Sequence, residues 1–215
     1  ATVDLIMDAG IPVVAGNCEK QLAAGALDCG CGFESGTTCD LLSAGWYAHA
    51  NSEVSEDHRN FMEQCADIIL FSQSGKKFAA IHGGVTDIAR FIWSASTVEV
   101  FAEEVDALRA LVGEVDVVIA GHSGIAFQRQ VGGVTWVNAG AVGMPEHDGR
   151  PETRFVVLQD GAAKIKELTY NAAAAQVAMQ AAGLTQGYDR ALLSGYWPSE
   201  DVLPQALRLP SLAKG

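Results

Sequence analysis

Three apolar segments end abruptly in glycine and a polar side chain, and this repeated pattern constrains the fold more than any other feature. The segments are "VVAGN" at 13–17, "FAAIHG" at 78–83 and "VVIAGHS" at 117–123. Short apolar runs bounded by glycine are typical of buried strands. Because the carboxyl ends of parallel strands meet at one edge of a sheet, polar residues that follow them come together there. The pattern predicts an α/β protein with a polar site at that edge.

The segments between these runs carry both helical and hairpin patterns. A buried strand is predicted over residues 11–16. Helices are predicted over residues 2–10, near 39–49, over 55–66 after an N-cap at Ser55, and after a capping box of Ser96 and Glu99. Hairpins are predicted at 67–84, around 132–133 and around 160–161. Helix-and-strand units mixed with antiparallel hairpins favour a layered α/β sandwich with mixed sheets over a purely parallel sheet.

The chain is predicted to form one domain over 1–170, followed by a C-terminal helical extension at 171–215. The extension is alanine-rich and carries the aromatic residues Tyr188, Tyr196 and Trp197. We expect it to pack on the same domain. A cap near the substrate and a contact in a homodimer are alternative roles.

Charge and cysteine content exclude several classes of protein. The formal net charge of −12 argues against nucleic-acid polymers and anionic membranes as partners. No apolar run approaches the roughly 18–20 residues that cross a bilayer, and no signal-peptide pattern is present. Five unevenly spaced cysteines favour reduced thiols in a cytoplasm over a disulfide framework. The Cys29-Gly-Cys31 spacing is too short for a usual zinc knuckle, so buried thiols are predicted there.

Three residues that follow the apolar runs are candidate metal ligands. They are Asn17, His82 and His122. An amide oxygen and two imidazoles at one point would suit a divalent ion such as zinc, manganese or iron. Taken singly, each residue has a structural alternative, as a turn residue or a buried histidine. The other histidines, at 49, 58 and 147, occur in polar segments and are predicted to lie at the surface.

The order of these motifs resembles the calcineurin-like metallophosphoesterase superfamily. The residues that carry the resemblance are Gly16-Asn17-Cys18-Glu19, the strand into His82-Gly83, Gly121-His122-Ser123 and the run "NAGAVG" at 138–143. Members of the family carry Gly-Asn-His-Asp/Glu, a strand-end histidine, Gly-His-x-His and a hairpin that ends in Asn-Pro-Gly-Ser-Val-Gly. The resemblance spans residues 1 to about 170.

The resemblance implies metal-assisted hydrolysis of a small phosphorylated substrate. It implies that Asn17, His82 and His122 bind one ion of a pair of the Mn, Fe, Zn or Ni class. Cys18 stands where most members have a histidine that stabilises the transition state or protonates the leaving group, although some bacterial branches carry cysteine there. Glu19 would orient that neighbour. A small apolar filler is the alternative role for Cys18.

Two departures from the family pattern bear on activity. The Asp-x-His and Gly-Asp motifs of the first βαβ portion do not occur, and neither Asp4 nor Asp8 is assigned to them, since both fall on the predicted first helix. Gly124 stands where the family has a second histidine. We therefore expect an incomplete dinuclear site and little or no hydrolysis by this chain alone. The alternatives are a catalytically impaired binding or regulatory module, and a structural domain with incidental histidines.

Overall fold

The seven β-strands found in residues 2–210 form two separate sheets. The computed structural model describes residues 2–210. In chain order the strands are β1 (Ile69–Gln73), β2 (Lys76–Ala80), β3 (Val117–Ala120), β4 (Phe127–Val131), β5 (Val134–Asn138), β6 (Thr153–Gln159) and β7 (Ala162–Leu168). Five of them form one sheet in the order β1-β2-β3-β5-β4, and β6 pairs with β7.

Helices precede, interrupt and follow the strands. They are α1 (Thr2–Ala9), α2 (Asn17–Ala23), α3 (Thr38–Glu53), α4 (Glu56–Glu63), α5 (Val98–Val112), α6 (Ala172–Ala181) and α7 (Tyr188–Ser194), with a 3₁₀ turn at Gln205–Leu207. Within residues 2–210, none of the helices has the length and apolar character needed to cross a membrane.

The direction of the central strands determines where polar residues meet. Strand β3 is parallel to both β2 and β5, whereas the two outer strands pair antiparallel with their neighbours. The carboxyl ends of β2, β3 and β5 therefore lie at the same edge of the sheet. His82 and His122 each lie two residues beyond one of these ends, and Asn138 is the last residue of the third strand.

The two faces of the sheet are covered by different layers. Ala79, Val118 and Trp136 belong to a buried cluster with Phe101 and Leu108 of α5. Their sequence neighbours Phe78, Val117 and Val137 pack against the β6-β7 sheet through Val156 and Leu158. Since successive strand residues point to opposite faces, this alternation produces a layered α/β arrangement. Full burial of side chains of this size stabilises a fold by about 1.5–3 kcal/mol each.

Most of the predicted elements are present, as is the mixed sheet. The helices predicted at 2–10, 39–49 and 55–66 correspond to α1, α3 and α4. Ser55 is the N-cap of α4, and its side chain accepts a hydrogen bond from the amide of His58. The three predicted hairpins are the β1-β2, β4-β5 and β6-β7 pairs.

The prediction of a buried strand over 11–16 is wrong. The segment makes one isolated parallel bridge, between Val14 and Ala66, supported by a 2.8 Å hydrogen bond from the Ala15 amide to the Ala66 carbonyl. Ile11 is 52% exposed. An apolar run extends into a strand only where a neighbouring strand pairs with it along its length, and among the described residues that pairing is limited to this one bridge.

The predicted capping box of Ser96 and Glu99 is also not formed. Helix α5 begins one residue later, and its N-cap is Thr97. The Ser96 hydroxyl instead accepts a hydrogen bond from the amide of Trp93, at 2.9 Å. Serine hydroxyls readily bond the backbone of nearby turns, and here the turn competes successfully with the helix end.

Candidate metal centre

Three potential metal ligands converge at the carboxyl edge of the sheet. The Nε2 atom of His82 lies 2.9 Å from Oδ1 of Asn17 and 3.0 Å from Nδ1 of His122. Asn17 is 3% exposed. The structure thus brings together the three residues that the sequence selected.

The amide of Asn17 is held in one orientation by the segment 29–31. Its Nδ2 group donates hydrogen bonds to the Cys29 carbonyl at 2.8 Å and to the Cys31 sulfur at 3.2 Å. Since these partners accept, the nitrogen must face them, and the amide oxygen is directed at His82. Asn17 is the first residue of α2, so its backbone is fixed by a helix and is not part of a loose turn.

The turn that carries His122 is held from beneath by Asn138. The Asn138 side chain donates to the Gly121 carbonyl at 2.6 Å and to the Ser123 hydroxyl at 2.8 Å. The Ser123 hydroxyl in turn donates to the Ile92 carbonyl at 2.8 Å. His122 has φ of 60°, a left-handed conformation that costs a non-glycine residue energy and occurs most often at functional sites. Asn138 therefore acts as a positioning residue for His122.

Burial favours the neutral form of both histidines. Burial lowers the pKa of His82. Burial, followed by the charge of His82, lowers the pKa of His122 to about 4. Neutral imidazoles present nitrogen lone pairs, which is the form that binds metal.

The donor set fits a divalent ion. The contacts of 2.9 and 3.0 Å around His82 are hydrogen-bond distances, and they bring the three donor groups close enough together for one ion to be held among them. An amide oxygen and two imidazole nitrogens are borderline ligands for Mn, Fe or Zn. Within residues 2–210 no group of three or more His, Cys, Asp and Glu side chains is arranged to hold a metal. A metal site at this position would therefore need the amide of Asn17 as its third ligand.

The two residues predicted to act in catalysis lie beside this centre. Cys18 is half-buried, and a hydrogen bond with the thiol of Cys29 raises its pKa, so that it remains protonated. The Glu19 carboxylate accepts a hydrogen bond from the Gly16 amide at 2.9 Å, which caps the start of α2. Both side chains line the cavity described next.

A cavity of about 440 Å³ is lined both by the candidate metal ligands and by residues of the C-terminal helices. Asn17, His82 and His122 are among the residues that line it. Helices α6 and α7 and the segment after them contribute Met179, Tyr188 and Trp197 to the same lining. The C-terminal part of the chain thus packs against the candidate site.

Comparison with known proteins identifies the family. Residues 2–161 match the family model described as the calcineurin-like phosphoesterase superfamily domain. The chain belongs to this superfamily. A search of curated proteins gave no match.

Solved structures share the superfamily fold. A metallophosphoesterase from Sphaerobacter thermophilus is similar with a TM-score of 0.66 at 17% identity, over 90% of this chain and 80% of that one. A hypothetical protein from Pyrococcus horikoshii OT3 is similar with a TM-score of 0.68 at 10% identity, over 90% of this chain and 77% of that one. At these identities the similarity shows the fold alone.

Sequence reasoning missed one buried histidine of this phosphoesterase-family chain. His147 was predicted at the surface, but the residue is 7% exposed. Its Nε2 atom lies 2.7 Å from the Glu200 carboxylate, and its Nδ1 accepts a hydrogen bond from the Trp197 amide at 2.8 Å. The partners follow it by 53 and 50 positions, so no local pattern could have indicated them.

Proposed function

We propose that the chain is a metal-dependent phosphoester hydrolase in which Asn17, His82 and His122 bind a divalent ion. The observation that carries this proposal is the convergence of an amide oxygen and two neutral imidazoles at separations of 2.9 and 3.0 Å. Membership of the superfamily supports the reaction class. The substrate is a small phosphoester, and the ion belongs to the Mn, Fe, Zn or Ni class.

Each residue near the centre has a distinct role in this proposal. A bound divalent ion lowers the pKa of a water molecule and offsets the negative charge of the phosphate. The Cys18 thiol has one proton, which turns from Cys29 to a phosphate oxygen when the substrate binds. Glu19 holds the first turn of α2 in place through the Gly16 amide and thereby orients its neighbour Cys18. Such an ion would supply positive charge for an anionic substrate in a protein whose net charge is −12.

A catalytically impaired binding module is the second candidate function. It is favoured by Gly124, because a Cβ atom at this position would lie 3.4 Å from both the Met144 and Trp197 side chains. Apolar groups thus surround the position at which the superfamily pattern has a second histidine. With three neutral ligands to one ion among the described residues, we expect turnover to be low. Two ions would be needed for the full dinuclear mechanism.

Metal binding and turnover separate the two candidates. Calorimetric titration with Mn²⁺ is expected to give a site that His122→Ala weakens by about 100-fold and that His49→Ala leaves unchanged. Failure to bind Mn²⁺, or equal binding by both variants, would contradict the assignment of the ligands. Hydrolysis of bis(p-nitrophenyl) phosphate that depends on Mn²⁺ and on His122 favours the enzyme. Metal binding without turnover favours the module.

We also propose a cytoplasmic setting, which is supported by the five cysteines. All of them are free thiols. Reduced thiols persist in cytosolic conditions and tend to be oxidised outside the cell.

A further inference from the structure

The cavity beside the metal centre is lined mainly by apolar and aromatic groups. Phe33, Phe91 and Trp93 form an aromatic cluster, the Phe91 array. It begins at the candidate metal centre, where the centroid of the Phe91 ring lies 4.4 Å from that of the His122 ring. Phe91 also stacks on Trp93, with ring centroids 5.6 Å apart and an interplanar angle of 5°, and it lies 6.0 Å from Phe33. An apolar surface therefore starts immediately next to His122, where the proposed function places the phosphate.

The C-terminal segment supplies a further part of the cavity wall, and the Trp197 ring lies 6.4 Å from the Trp93 ring. The indole Nε1 of Trp197 donates to the Pro145 carbonyl at 2.7 Å, and its backbone amide donates to His147. The Trp197 ring lies over Gly124, whose φ of 76° disfavours any side chain there. Met179 and Leu184 extend the same wall. All of the wall residues from α6 onward lie outside the segment that matches the family model, 2–161.

The charge of the cavity restricts the ligand further. Among the described residues that line it, none is lysine or arginine, and the one carboxylate is Glu19. A phosphomonoester carries a charge of about −1.5 to −2 at neutral pH, whereas a diester carries a single negative charge. Without cationic side chains, the second charge of a monoester would be compensated by metal alone and opposed by Glu19. The single negative charge of a phosphodiester therefore suits this cavity better than the charge of a phosphomonoester.

We propose that this cavity selects phosphodiesters that bear a flat aromatic group, which contacts the apolar lining made by Phe91, Met179, Leu184 and Trp197. The inference rests on the proposed function, because the metal centre must hold the phosphate. Aromatic faces favour offset-stacked or edge-to-face contacts with a planar partner. The volume of about 440 Å³ is that of a small-molecule pocket.

The test measures binding of three esters that separate charge from aromatic content. Calorimetry and tryptophan fluorescence follow titration with diphenyl phosphate, phenyl phosphate and dimethyl phosphate, each with and without Mn²⁺. Diphenyl phosphate is expected to bind at least about tenfold more tightly than either of the others in the presence of Mn²⁺, since it alone combines a single charge with aromatic rings. Equal affinities for the three esters, or no measurable binding of any, would overturn the proposal.

Variants of cavity-lining residues in and just after helix α6 test whether the aromatic group of the ligand contacts this part of the cavity. Met179→Ala is expected to weaken diphenyl phosphate binding about tenfold, equivalent to about two buried methylene groups, and to leave dimethyl phosphate unaffected. Val177→Ala is the matched control, since Val177 lies on the same helix and is 64% exposed. Leu184→Ala provides a second variant should Met179→Ala fold poorly. Equal affinities in the lining and control variants would overturn the proposal.

The same data distinguish failure of the inference from failure of the proposed function. Binding of diphenyl phosphate that depends on Met179 but not on Mn²⁺ or His122 would support the aromatic pocket and overturn the metal-centred function. Binding of all three esters that depends on Mn²⁺ and His122, with no dependence on Met179 or Leu184, would support the metal centre and overturn the pocket.

Discussion

The amide oxygen of Asn17 lies 2.9 Å from Nε2 of His82, although the two residues are 65 positions apart in the chain. This contact joins the start of helix α2 to the end of strand β2 and directs an acceptor oxygen at an imidazole. A second imidazole, that of His122, completes the set at 3.0 Å. The first two predictions concern this centre, and the others concern the segments that support it.

Removal of the Asn17 amide is expected to abolish most metal affinity. Asn17→Ala should weaken Mn²⁺ binding by about 100-fold, because it deletes one of three ligands. Asn60→Ala, at an exposed position, serves as the control and should bind normally. Isothermal titration calorimetry measures both. A normal Mn²⁺ affinity in Asn17→Ala would show that the amide is not a ligand.

The thiol of Cys31 is expected to act through Asn17. Cys31→Ala removes a sulfur that accepts from the Asn17 amide at 3.2 Å, while the Cys29 carbonyl still accepts. The amide should be less firmly oriented, and Mn²⁺ affinity should fall by about tenfold, as for other groups that orient metal ligands. Cys65→Ala is the matched control, since its sulfur contacts the Phe61 carbonyl instead. Equal Mn²⁺ affinities in the two cysteine variants would rule out an orienting role for Cys31.

A buried carboxylate stabilises the loop that follows His82. Glu104 is fully buried and accepts hydrogen bonds from the Val85 amide and from the amide and hydroxyl of Thr86. It also forms an ion pair with Arg90 at 2.6 Å. Glu104→Gln should lower the free energy of unfolding by about 3 kcal/mol, because Arg90 loses its buried partner charge.

Glu103 provides the control for this prediction. It forms an ion pair with the same arginine at 2.8 Å, but its side chain is 56% exposed. Glu103→Gln should change the free energy of unfolding by less than about 1 kcal/mol, as is usual for surface pairs. Urea denaturation of both variants gives the comparison, and similar losses in the two would contradict the assigned role of Glu104.

The hydrogen bond between Glu200 and His147, the residue that accepts from the Trp197 amide, is expected to stabilise the fold in a pH-dependent way. Glu200 accepts hydrogen bonds from the Leu209 amide and from His147, which lowers its pKa below 4.5. A carboxyl group with a lowered folded-state pKa contributes stability above its unfolded value, and that contribution is lost as pH falls through the folded pKa. Glu200→Gln should therefore reduce stability modestly at pH 7, and the difference from the native chain should vanish as pH falls well below 4.5.

Urea midpoints measured across this pH range test the prediction. Glu152→Gln is a suitable control, because this carboxyl forms no ion pair within the described residues. A difference between Glu200→Gln and the native chain that stays constant from pH 7 to pH 3 would show that the carboxylate charge contributes nothing.

Much of the fold could be predicted because the relevant signals are local. The hairpins at 73–76, 132–133 and 160–161 are each specified by a short run between two strand patterns, and all three form. The strand prediction at 11–16 failed because an apolar run does not say whether a partner strand lies beside it. The capping prediction at Ser96 failed because a nearby turn used the same hydroxyl.

The sequence by itself determined which residues could bind a metal, since Asn17, His82 and His122 carry suitable donors at glycine-bounded ends of apolar runs. Only the tertiary structure decided that the three donors meet, that segment 29–31 orients the amide, and that Trp197 covers Gly124. The physical reason is that sequence patterns reflect interactions between residues close together in the chain, whereas the site is built from residues far apart in it. Periodicity and turn chemistry report the burial of neighbouring residues, whereas contacts across 65 positions are fixed by how whole layers pack.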